Sequence, residues 1–293
     1  MLSTDAQQTA ALLPFRELVD ALRMACAEYA RGEILCPERL ALPLAGGVLL
    51  SMPASAPDLA AHKLVTVCAG NPARGLPSIL GTVSAIDPQT GQVRLSLDAP
   101  TVTARRTAAV SMLGIELLHG PPREVALIGT GAQARGHALA LQALFPAVKV
   151  WVVGRRAEAT TAFCDELGAA FSPVASVPDS ADTVITATSS KTPIYTAPAQ
   201  AGRLVVAVGA FTPDAAEIAP DTVRQSRIYT DDPTGARHEA GDLIGAGVDW
   251  PQVHALAEAI QNPPPSGPIL LKTVGCAAWD LAACRVALAQ AKA

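Results

Sequence analysis

At 293 residues the chain is long enough to bury a large core and to build two domains. Half of it is apolar and 16% is charged, which excludes a disordered chain. A net charge of −4 gives no electrostatic case for nucleic acid or an anionic membrane, and no apolar run approaches the length of a bilayer span.

The chain starts "MLSTDAQQTAALLPF", with no basic stretch ahead of an apolar core, so no signal peptide is expected. Residues 14–31, "PFRELVDALRMACAEYAR", place Phe15, Val19, Leu22 and Cys26 at helical spacing. Four short β-like runs follow: "GGVLLSMP", "HKLVTVCA", "PSILGTVSAID" and "GQVRLSLD". Gly, Pro and Asn punctuate them, as in an antiparallel or mixed sheet. "APTVTARRTAAVSMLGIELL" reads as a helix with Thr101 or Thr103 as its cap. At "HGPPREV" the texture changes. The runs "EVALIG", "VKVWVVG", "ADTVITAT", "RLVVAVGA" and "SRIYTD" alternate with helical segments, and they are continuously apolar, as strands of a buried parallel sheet are. "QNPPPSGP" at 261–268 reads as a loop returning the chain to the first domain, and the end is helical from about Gly275. The six cysteines (Cys26, Cys36, Cys68, Cys164, Cys276, Cys284) form no C-x-x-C pair, so free thiols in a reducing cytoplasm are expected. Five scattered histidines offer no ligand spacing, and no metal site is expected.

Chemistry concentrates in "VALIGTGAQARGHALAL", residues 125–141. Gly129-Thr130-Gly131-Ala132-Gln133-Ala134 follows a strand-like run, opens a helix and precedes a second strand, the setting in which G-x-G-x-x-A binds a dinucleotide. Gly129 permits the tight turn, Gly131 lets the backbone approach a pyrophosphate, and Ala134 allows close helix–strand contact. The helix N-terminus offers the phosphates unpaired N–H groups. The alternative is a tight strand-to-helix turn without a ligand. After the second strand, where NAD-binding proteins carry an acid for the ribose, stand Gly154, Arg155 and Arg156. Guanidinium groups grip a 2′-phosphate that a carboxylate would repel, so NADP(H) is expected over NAD(H).

With that loop placed, four ordered segments resemble the ornithine cyclodeaminase/μ-crystallin family: "HKLVTVCAGNPARGLPSILGTVSAIDPQTGQV", "TARRTAAVSMLG", "VALIGTGAQARGHALAL" and "LLKTVGCAAWDLA". The resemblance implies an α/β chain in which a Rossmann-type parallel-sheet domain is inserted into a second, α+β domain that binds substrate and builds a homodimer. On this chain those are residues 119–271, and residues 1–118 plus 272–293. It further implies that Arg39 clamps a substrate carboxylate and that Lys63 sits beside the reacting C–N centre. Arg106, Thr107 and Ser78 correspond to cofactor-contacting positions. Thr188, Val208-Gly209-Ala210 and Thr273-Val274 correspond to positions around the ribose and nicotinamide. Each has a plainer reading. Arg39 can be a surface arginine, and Thr188 a helix cap. An inward Lys63 needs an anionic partner. Of Arg105 and Arg106 only one can face a cleft, and the family pattern selects Arg106.

Ornithine cyclodeaminase carries an aspartate where "AVGAFTPDAAEI" has Phe211, and a lysine where it has Ala215. A phenyl ring can neither pair with an ammonium nor act as a base. The loss argues against cyclodeamination and favours a reductase of a cyclic imine. "GAFTP…AEI" and "ARHEAGDL" also resemble the Δ1-pyrroline-2-carboxylate/Δ1-piperideine-2-carboxylate reductase branch of the family, and that resemblance implies reduction of one or both of these cyclic imino acids to L-proline or L-pipecolate. Lys63 serves either as carboxylate ligand or as proton donor. The alternatives are ornithine cyclodeaminase or alanine dehydrogenase activity, a non-catalytic NADP-dependent ligand-binding protein of crystallin type, and a Rossmann protein of unrelated chemistry.

Overall fold

The computed structural model describes residues 2–292. They divide into two compact units: residues up to Arg106 with those from Cys276 onward, and Thr107–Gly275.

The first unit opens with β1 (Leu2–Ser3), α1 (Ala6–Ala11) and α2 (Phe15–Ala30). Then come β2 (Leu40–Leu44), β3 (Gly47–Ser55), β4 (Ala60–Val67), β5 (Ile79–Ile86) and β6 (Val93–Asp98). The sheet runs β1-β6-β5-β4-β3-β2, antiparallel except where β1 meets β6. Side chains alternate between its faces. On β4, Ala61, Lys63 and Val65 are buried. Cross-strand register places Leu42, Leu49, Thr66 and Leu80 in one row of the opposite face, and Leu40, Ser51, Leu64 and Thr82 in the next. Leu40, Leu42, Leu64 and Leu80 on that face are exposed.

Helix α3 (Ala99–Leu118) carries the chain from the first unit into the second. Its cap is Asp98 rather than Thr101 or Thr103. The Asp98 carboxylate accepts from the Thr101 amide at 3.0 Å and from the Thr101 hydroxyl at 2.6 Å, so both threonines lie inside the helix.

The second unit contains β7 (Glu124–Ile128), α4 (Ala132–Leu144), β8 (Lys149–Val153), α5 (Ala157–Leu167), β9 (Phe171–Val174), β10 (Thr183–Thr186) and β11 (Leu204–Ala207). It continues with α6 (Pro220–Arg224), β12 (Arg227–Thr230), α7 (Pro233–Glu239), α8 (Gly241–Ala246), β13 (His254–Ala255), α9 (Glu258–Gln261) and β14 (Ile269–Lys272). Its eight strands are all parallel, in the order β13-β12-β14-β11-β10-β7-β8-β9. The loop at 261–268 does not return the chain to the first unit. It leads into β14, whose four buried residues wedge between β11 and β12 inside this sheet. The chain rejoins the first unit only at Cys276.

The last element, α10 (Ala277–Gln290), is apolar on nearly every side and packs on α2 and on β3, β4 and β5. A helix of that composition has to be buried. Asp280, at 0% exposure, is the one acid in it.

Candidate active site

In the first unit, strand alternation turns Lys63 inward, and α10 brings Asp280 to meet it. Lys63 Nζ lies 2.7 Å from Asp280 Oδ2, and Arg106 Nε lies 3.2 Å from Asp280 Oδ1. All three side chains are almost wholly buried. Two cations thus share one carboxylate, and the trio carries a net positive charge that an anionic substrate would balance. Burial pushes the Lys63 ammonium down to about 8. Asp280 opposes that shift, while the charges of Arg106 and Arg39 add to it. Arg39 therefore stands within electrostatic reach of Lys63, in the coil before β2 and partly exposed. Arg105 points elsewhere: it donates to the Leu13 carbonyl at 2.8 Å and stacks over the Phe15 ring. Arg106 is the one that joins the cluster. Ser78 lies in the turn before β5, where its carbonyl accepts from the Cys68 amide.

In the second unit the glycine loop lies between β7 and α4. Gly129 has φ +124°, and a Cβ there would stand 2.6 Å from the Ala187 carbonyl, so no other residue fits the turn. Gly131 caps α4 without a side-chain hydrogen bond, and a Cβ on it would meet nothing within 4 Å. Ala132 is exposed and Ala134 fully buried, as close packing of α4 demands. Gln133 buries its Oε1 with no hydrogen-bond partner among the described residues. Open backbone and an uncapped helix N-terminus suit a dinucleotide pyrophosphate. At the end of β8, a Cβ on Gly154 would stand 2.1 Å from Thr160 Oγ1, so any side chain there would have to displace that hydroxyl; Arg155 and Arg156 beside it are exposed.

Thr188 caps no helix. It follows β10 in coil, and its amide and hydroxyl each donate to Glu217 Oε1 at 2.7 Å. Val208, Gly209 and Ala210 follow β11, with Val208 and Ala210 buried. Thr273 donates its amide to the Ala207 carbonyl at 3.0 Å, and the Val274 and Gly275 amides both donate to Asp231. Thr107 is buried, and its carbonyl accepts from Ser111 Oγ. Ser111 Oγ in turn lies 2.8 Å from His137 Nε2 on α4. Phe211 is 44% exposed in the loop after β11.

Asp280, Asp231 and Glu217 escape a reading of the sequence. Only Asp280 left a signal there, as a lone acid in an apolar helix.

A family model described as ornithine cyclodeaminase/mu-crystallin matches residues 2–261. Delta(1)-pyrroline-2-carboxylate reductase 1 of Burkholderia multivorans is 58% identical over 97% of this chain and 94% of its own length. The Delta(1)-pyrroline-2-carboxylate/Delta(1)-piperideine-2-carboxylate reductase of Azospirillum brasilense is 57% identical over 97% and 94%. Among solved structures, Thermococcus litoralis Delta(1)-pyrroline-2-carboxylate reductase in complex with NADH and L-proline matches with a TM-score of 0.90 at 26% identity, covering 100% of this chain and 98% of that one. This chain belongs to the ornithine cyclodeaminase/mu-crystallin family.

Proposed function

We propose that the chain is a nicotinamide-dependent reductase of cyclic α-imino acids, converting Δ1-pyrroline-2-carboxylate or Δ1-piperideine-2-carboxylate to L-proline or L-pipecolate. The observation that carries this reading is the buried Lys63–Asp280–Arg106 cluster, a site with positive charge and one proton donor of lowered pKa. Relatives of 57–58% identity bearing the same activity support it.

A nicotinamide cofactor, held by the glycine loop, would supply the hydride. Arg39 binds the substrate carboxylate, which fixes the ring and removes the entropy of a bimolecular encounter. Lys63, cationic below about pH 8, delivers its proton to the ring nitrogen as the C=N carbon is reduced, leaving a C–H and an N–H. Asp280 aims Lys63 and keeps its proton from being lost to burial alone. Arg106 holds the other oxygen of Asp280. The loop after β11 carries Phe211 where a cyclodeaminase has an aspartate, and a phenyl ring offers no base.

On the cofactor side, the proposed contacts are the Gly129–Ala134 loop for the pyrophosphate and Arg155 with Arg156 for a 2′-phosphate. Thr107, Thr188, Val208–Ala210 and Thr273–Val274 would surround the ribose and nicotinamide. That assignment makes NADPH the preferred donor, with NADH second. The exposed leucine face of the first unit is assigned to a homodimer, and six cysteines outside any disulfide suit a reducing cytoplasm.

The test is nicotinamide oxidation by purified protein across a panel of cyclic and acyclic imino acids. Turnover should be confined to the five- and six-membered cyclic imines. Ammonia release from L-ornithine at a comparable rate would defeat the reading, because Phe211 has no group to assist it.

A further inference from the structure

Glu217 is a fully buried carboxylate whose partners are neutral donors. Its Oε1 accepts from the Thr188 amide and hydroxyl, both at 2.7 Å. Its Oε2 accepts from the Gly209 amide at 2.6 Å and from Thr186 Oγ1 at 2.9 Å. These donors belong to two separate segments, one leaving β10 and one leaving β11. The segments press together at that point, since a Cβ on Gly209 would stand 1.9 Å from the Thr188 carbonyl.

Glu217 is itself held from behind. Its amide and that of Ile218 donate to Asp242 Oδ1 at 2.6 and 2.9 Å. Asp242 Oδ2 pairs with Lys272 Nζ at 3.3 Å, and that ammonium donates to the Ala207 carbonyl at the end of β11. The carboxylate is therefore locked to the same strands whose loops it joins.

Ligands of doubly wound sheets lie beyond the carboxyl ends of the strands. The glycine loop and the Arg155–Arg156 tip take up the ends of β7 and β8, so the adenosine half belongs there. The ends of β10 and β11 lie on the other side of β7.

We propose that Glu217 is a positioning residue for the nicotinamide half of the cofactor. It clamps the loops after β10 and β11 at one height and leaves the adenosine half alone. This rests on the cofactor placement given under Proposed function. A carboxylate is suited to the task because both oxygens accept. An amide would turn a donor toward two of the four donors and set one loop free.

The test compares wild type with Glu217→Gln in three readouts: calorimetric affinity for ADP and 2′,5′-ADP, affinity for NADPH from nicotinamide fluorescence, and kcat with the cyclic imine. The variant should bind both adenosine fragments within about twofold of wild type, yet bind NADPH and turn over about tenfold or more worse. Equal loss of fragment and NADPH binding would mean a merely structural role and overturn the proposal. So would NADPH affinity and kcat that stay at wild-type values. If the variant does not fold, Thr186→Ser and Thr186→Val decide the matter. Serine keeps the hydroxyl that donates to Glu217 Oε2 and should match wild type, whereas valine keeps the shape, loses the hydroxyl and should show the same selective loss. Equal behaviour of the two would overturn the clamp. Failure of wild type itself to bind NADPH would instead bring down the cofactor placement, an outcome distinct from any variant result.

Discussion

Lys63 sits under opposing influences: burial strips water from its ammonium, while Asp280 at 2.7 Å returns part of that loss. Its pKa of about 8 lies below the ordinary 10.5, so between those values the unfolded chain holds a proton that the folded chain has released. The Lys63 contribution therefore makes stability rise with pH across that window. Activity runs the other way, because the protonated form is the proposed donor: kcat should fall as pH rises through about 8. Asp280→Asn removes the anion that raises the Lys63 pKa. The alkaline limb should then move to lower pH, and urea unfolding should show a loss of about 3–5 kcal/mol as two buried cations lose their partner. A limb that stays in place in this variant would belong to some other group. Arg39 is more exposed, which lowers what it contributes. Arg39→Met should weaken imino-acid binding by about 2 kcal/mol, the low end for a lost carboxylate partner, and leave NADPH affinity unchanged. A normal KM for the imino acid in that variant would put the carboxylate elsewhere.

At the level of elements, the proposed cofactor preference would be set at the tip of β8 and the start of α5. Gly154 is required there by Thr160, whose hydroxyl donates to the Arg156 carbonyl at 2.8 Å and occupies the space a side chain would need. With glycine at 154 and no carboxylate at 155 or 156, the exposed Arg155 and Arg156 can address a 2′-phosphate. Arg155→Ala combined with Arg156→Ala should raise the KM for NADPH by roughly tenfold and hardly change that for NADH. Equal kcat/KM for the two cofactors in the unaltered protein would remove the basis for this. Elements with strong periodicity or continuous apolar runs, such as α2, β7, β8, β10 and β11, were legible from the sequence. The missed strands are those whose local signal is weak. β2 is "LALPL", exposed at every position and interrupted by proline; β9 is "FSPV"; β14 is four residues after a Pro-rich loop, and only tertiary pairing with β11 and β12 makes it a central strand. The same holds for the site. The glycine loop is contiguous and could be read. The Lys63–Asp280–Arg106 cluster and the Glu217 clamp join residues distant in sequence, and periodicity carries no information about such meetings.

For the whole molecule, one feature of the first unit is out of keeping with an isolated chain. Its sheet turns Leu40, Leu42, Leu64 and Leu80 outward in adjacent rows, with Leu44 exposed at the end of β2 and Leu49 half-buried between them. Monomeric proteins rarely leave a contiguous apolar face of this kind uncovered. Each of these leucines, about half exposed, gains on the order of 1 kcal/mol when covered. A twofold axis presents the same face twice and doubles the sum, which brings it into the range of about 4–15 kcal/mol lost as translational and rotational freedom on association. A second copy of the chain is thus an adequate occupant. Light scattering should give twice the 30.0 kDa chain mass. Leu42→Glu with Leu80→Glu places two carboxylates in one cross-strand row of that face. Burying them unpaired would cost more than the leucine face supplies, so this variant should run at the mass of one chain while its thermal unfolding stays cooperative. A monomeric wild type, or a double variant that still pairs, would show that this face serves something other than a second copy.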